Sequence, residues 1–177
     1  MRVTTLKLIA VACALAVLLA VGGAPARAAG WRAATAAELK KLLPTRAPVI
    51  RENIETESRT ASGVTDGRGK FIAGVVMITA GYSAEGKYSH FLITHVPIRV
   101  GDMELSAGEY VFGYRRADNE TIRVSFYRAA NGEAVGTADA HLNRKSSRVV
   151  SLLIAPPSGG KGYMQIGRFV FEYRVAA

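Results

Sequence analysis

Apolar and polar residues follow two different rhythms along this chain, and in one place they follow none. Residues 8–21 ("LIAVACALAVLLAV") are continuously apolar, with Arg2 and Lys7 before them and the small-x-small triplet Ala26-Arg27-Ala28 after. That is the pattern of a secretory signal peptide cut after Ala28. The run is short for a span of about 20 residues, so an uncleaved membrane anchor is the minor reading. A helical rhythm follows: Thr35-Ala36-Ala37-Glu38 forms a capping box ahead of Leu39, Leu42 and Leu43, and Pro44 closes it. The prolines of "PTRAPVIREN" then predict an extended connector. The expected organisation is a leader over 1–28, a short helix and linker over 29–50, and a β domain over 51–177.

Beyond residue 50 the period changes. Residues 71–80, 88–96, 109–115, 121–127, 133–141, 148–155 and 163–175 are rich in branched and aromatic side chains and are separated by turn residues, which predicts seven strands. An eighth candidate, "NIETESRTASGV" (53–64), is polar on both faces, as an edge or solvated strand is. Asp66-Gly67-Arg68-Gly69, Asn131-Gly132 and Ser158-Gly159-Gly160 supply the positive φ that hairpins need, and Asp118-Asn119 tolerates it. Short strands with no helix between them predict an all-β fold, an antiparallel β-sandwich of seven to eight strands with one short N-terminal helix. Residues 71–80 and 148–155, nearly continuous in apolar residues, are expected as central strands. Pro97 predicts a bulge or a change of sheet.

Charge adds a constraint. The full chain has a net charge of +9; without the leader it keeps 20 basic and 14 acidic residues, a net of +6, and loses Cys13, its only cysteine. An exported domain without disulfides suits the bacterial envelope, in the periplasm or outside the cell. Positive charge there matches an anionic glycan, a lipid headgroup or an acidic protein partner, and not nucleic acid.

Candidate chemistry is sparse. Asp139-x-His141 places a carboxylate and an imidazole on one strand face, and His95 from a neighbouring strand would complete a metal site. That is the alternative reading, a metal-dependent enzyme. Ser89 adjoins His90, but strand alternation sends the two to opposite faces. No G-x-S-x-G elbow occurs, and "PPSGGKGY" lacks phosphate-loop spacing. Asp102, Glu104 and Glu109 lie near a turn, where acids are solvated. In "GDMELSAGEYVFGYRR", Tyr110, Phe112, Tyr114 and Arg116 share one face. The first two are expected to pack; Tyr114 and Arg116 are candidates for a ligand platform, with Arg68, Lys70 and Lys161 presented on glycine turns. "LSAGEY" resembles the L-x-A-G-x-Y turns of exported β-sandwich modules. The resulting expectation is an exported, cofactor-free binding protein. A structural subunit pairing through the 53–60 edge is a further alternative.

Overall fold

The computed structural model describes residues 30–85 and 87–176, so the leader expected over 1–28 lies outside the described residues. Its first regular elements are β1 (Arg32–Ala33) and the helix α1 (Ala36–Leu42), which starts where the capping box placed it. Thr35 accepts from the Glu38 backbone while the Glu38 side chain accepts from Thr35 N–H. The extended connector is itself paired: β2 (Arg46–Val49) forms a hairpin with the long β3 (Glu52–Thr65).

The chain continues through β4 (Phe71–Met77), β5 (His90–Thr94), β6 (Ile98–Val100), β7 (Met103–Leu105), β8 (Gly108–Arg116) and β9 (Thr121–Arg128). It then runs through β10 (Ala134–Leu142), β11 (Val150–Ile154), β12 (Lys161–Gly167) and β13 (Phe169–Val175). Thirteen strands among the described residues make one antiparallel sheet, in the order β1-β3-β4-β5-β8-β9-β10-β13-β12-β11. It curls until β11 lies against β3, nearly closing a barrel. At that seam Ser62 Oγ takes the Ile154 N–H at 2.9 Å. A Cβ at Gly74 would stand 2.9 Å from Phe91 C=O and 3.0 Å from Leu152 Cδ2, so glycine leaves room for β5 and β11 together. The expected sandwich is therefore corrected. A break in register between Glu57 and Ser62 lets β3 bend, and a sheet that bends and coils can meet itself instead of splitting in two.

Inward-facing residues fill the barrel, among them Leu92, Tyr110, Phe112, Phe126, Phe171 and Tyr173. A second core lies outside the wall, where Val49, Ile54 and Tyr88 cover the outer face of Val75, Phe91 and Val111. Double coverage explains why β4 and β5 are apolar at consecutive positions. Pro97 does mark a change of partner: the chain leaves β5, crosses the barrel end and pairs as β6 with β13. Ile98, Val100 and Leu105 of the β6–β7 hairpin plug that end. Tyr110 locks the turn into β8 by donating its hydroxyl to Ser106 C=O at 2.8 Å, a tyrosine corner on the "LSAGEY" segment.

Other expectations change. The single strand over 163–175 is two, β12 and β13, folded at Gly167, whose φ is +59°. The apolar run 148–155 becomes the terminal strand β11, its apolar side turned to the seam. The polar segment 53–64 is no free edge at its start, because β2 pairs with residues 52–55 and β4 and the residue after it bond residues 55–57. Asp118-Asn119 keeps negative φ; Asp118 Oδ1 instead accepts the Glu120 N–H at 2.7 Å.

Candidate binding site

The inward-facing row of β8 runs from core to solvent. Tyr110 and Phe112 are buried, whereas Tyr114 is 48% exposed and Arg116 is exposed. The reason is strand length. β5 begins at His90, opposite Phe112, so residues 113–116 pair only with β9 and project past the wall. Tyr110 and Phe112 pack as expected, Phe112 with its ring 5.2 Å from that of Phe126. Arg116 lies over the Phe169 ring at 5.6 Å.

Beneath Tyr114 sits His90, stacked on Phe112 with ring centres 4.6 Å apart and planes 8° from parallel. Its Nε2 lies 3.3 Å from Ser151 C=O, and Ser89 Oγ is 2.8 Å from Nδ1. A carbonyl only accepts, so Nε2 carries the proton and Nδ1 accepts from the serine. Strand alternation separates Ser89 from His90. The structure joins them at the start of β5, where Ser89 N–H donates to Phe112 C=O and Ser89 C=O accepts from Met77 N–H. Burial holds the imidazole's pKa down to about 4. A base that weak, with its lone pair already engaged, is a satisfied core histidine and a poor activator of Ser89.

Three connections meet at this same end, 117–120, 143–149 and Arg168. The register pairs Arg116 with Ile122, His141 with Thr121, Leu142 with Phe169 and Val150 with Gly167. They are tied together by Leu142 N–H to Glu120 C=O (2.7 Å), Asn143 N–H to Arg168 C=O (2.8 Å) and Gln165 Nε2 to Arg148 C=O (2.9 Å). Arg116, Arg144, Lys145, Arg148 and Arg168 are all exposed here, against only Asp118 and Glu120, and Glu120 pairs with Arg144. Val149, 69% exposed, stands among them. Sequence reasoning found Tyr114 and Arg116 but missed Arg144, Lys145, Arg148 and Arg168, whose only local signal was the basic cluster "NRKSSR".

The remaining candidates are scattered. Asp139 is bound by the Arg123 guanidinium at 2.9 and 3.2 Å, which lowers its pKa. His141 faces Thr121 at 3.4 Å, and His95 faces Gly69 C=O at 3.2 Å beside Phe71. Among the described residues no three His, Cys, Asp or Glu side chains gather as metal ligands, so Asp139, His141 and His95 are not brought together. Arg68 and Lys70 sit on the β3–β4 turn and Lys161 opens β12, all at the plugged end and away from Tyr114.

A cleft of about 800 Å³ opens where β10 and β13 part. The two strands pair only at His141–Val170 and Leu142–Phe169 before β13 turns to β6. Arg99, Asp102, Glu104, Asp139, Glu172 and Arg174 line it. Its charges largely pair among themselves or with Arg123, and its carboxylates are exposed. No protein-family model matches this chain, and neither a curated protein nor a solved structure is found similar to it.

Proposed function

We propose that this is an exported binding protein that holds an anionic surface of the cell envelope against the β8–β9 end of its barrel. The observation that carries the reading is the cluster of cations at this end, where carboxylates are few. Five exposed cations, one already paired, face outward beside the half-exposed Tyr114 and the exposed Val149. The β6–β7 plug at the opposite end carries Arg99 beside Asp102 and Glu104, and the turns around it present Arg68, Lys70 and Lys161, so cations there are interleaved with carboxylates. Lys and Arg near an anionic lipid surface contribute about 1 kcal/mol each, and an apolar side chain at the tip adds area that leaves water. The leader-like first 28 residues and the basic balance of the rest fit an envelope location.

Lipid headgroups and acidic glycans share phosphate and carboxylate chemistry, so the test uses both. Sedimentation with phosphatidylcholine vesicles, with and without phosphatidylglycerol, is set beside titration with a soluble acidic polysaccharide. Binding to one anionic probe is expected, weakening with salt. It should fall roughly a hundredfold when Arg144, Lys145 and Arg148 all become Gln. Tyr114→Ala and Arg116→Ala should weaken it further at nearly unchanged Tm, since neither side chain is in the core. Equal affinity for neutral vesicles, or retention by neither anionic probe, would overturn the proposal.

A further inference from the structure

We infer that the outer wall of the β8–β9 hairpin carries a second, discrete site, shaped for a small tetrahedral oxyanion such as phosphate or sulfate. Gly113 and Arg115 of β8 and Ser125 and Tyr127 of β9 point away from the barrel interior, on the face opposite Tyr110 and Phe112. The segment leading into β5 crosses them so closely that a Cβ at Gly113 would overlap Lys87 C=O. Only glycine admits the crossing. Tyr88, 2% exposed, anchors it, its ring edge-on to Tyr127 at 5.1 Å. The Lys87 ammonium is thereby held 5.0 Å from the Tyr88 ring centre and 5.2 Å from that of Tyr127.

Under that ammonium lies a hollow of about 250 Å³, bounded by Lys87, Gly113, Tyr114, Arg115, Ser125 and Tyr127. Two cations, Lys87 and Arg115, and the hydroxyl-bearing Ser125 and Tyr127 line it on the outer face, with no carboxylate among them, while Tyr114 directs its side chain to the opposite face. The next arginine along β9, Arg123, is neutralised by Asp139. Lys87 and Arg115 have no ion-pair partner among the described residues. A guanidinium fork, an ammonium and hydroxyl donors from different directions suit an anion with oxygens at tetrahedral corners; a planar carboxylate engages fewer of them. The cleft between β10 and β13 makes the contrast, since there four carboxylates outnumber two arginines. The hollow is on the barrel wall, so it stands independently of the surface-binding reading at the barrel end.

The test titrates the full chain with inorganic phosphate, sulfate and acetate at constant ionic strength, followed by amide NMR and calorimetry. The expected result is saturable one-to-one binding of phosphate or sulfate, with shifts centred on Lys87, Gly113, Arg115 and Ser125. It should weaken about tenfold or more in Lys87→Gln and Arg115→Gln and stay unchanged in Arg144→Gln. Both substituted side chains are exposed, so the variants should fold, and the shift map of the unaltered chain is decisive without them. Shifts that rise without saturating, saturable binding that maps to residues 144–148, or acetate binding as tightly as phosphate would each overturn the inference. Vesicle binding abolished by the Arg144, Lys145 and Arg148 changes with phosphate binding intact separates this site from the barrel end.

Discussion

His90 shows how one residue's chemistry depends on position. In the unfolded chain its imidazole titrates near 6.5; in the barrel, burial moves that to about 4. The folded pKa is the lower one, so between pH 6.5 and 4 the unfolded state binds the extra proton and stability falls as pH falls. The loss is about 3 kcal/mol across that window. Glu38 and Glu57, each lowered to about 2 by hydrogen bonds from Arg32 and Arg59, add their own losses only below about pH 4.5. His90→Gln should flatten the upper window and leave the lower one. A wild-type unfolding free energy that stays level from pH 6.5 to 4, measured with urea, would remove the argument. From sequence, His90 and His95 were legible only as residues on opposite faces; that one is buried and the other half-buried required the neighbouring strands.

At the scale of elements, local chemistry was readable wherever it was self-contained. The capping box starts α1, and Gly67, Gly69, Gly132, Gly159 and Gly160 all adopt the positive φ their turns need. The two- to four-residue strands β1, β2, β6 and β7 were illegible as strands, because so short a segment is extended by its partner and not by its own pattern. The β12–β13 hairpin escaped for another reason: only Gly167 and Arg168 lie between the paired Ile166 and Phe169, and the one local sign of the fold is a change of phase, from Met164 and Ile166 to Phe169, Phe171 and Tyr173. Within it, Gly162 is opposite Tyr173, whose ring lies where a Cβ would be. Tyr173 is fully buried and donates its hydroxyl to Ala155 C=O at 2.7 Å. Gly162→Ala must push that ring aside and should cost about 1–3 kcal/mol, with a matching fall in Tm. An unchanged Tm would mean that Tyr173 has room to move.

For the whole molecule, the decisive feature is the seam. β11 and β3 approach without a ladder, and Ser62 Oγ stands in for the missing partner of Ile154 N–H. Ser62→Ala leaves that amide unsatisfied, an expected loss of about 1–3 kcal/mol. Amide exchange should quicken in β11 more than in β12; equal protection in both strands would show that the seam does not depend on this bond. The sequence by itself determined that the chain is β-rich and antiparallel, which segments turn, and that Tyr110 and Phe112 pack while Tyr114 and Arg116 lie farther along the same face. Those properties follow from period and turn chemistry within a few residues. Only the tertiary structure decided barrel against sandwich, the burial of His90, and the gathering of Arg116, Arg144, Lys145, Arg148 and Arg168 at one end. Sheet closure and the meeting of distant loops depend on strand register and length between segments far apart in the chain, which no local pattern encodes.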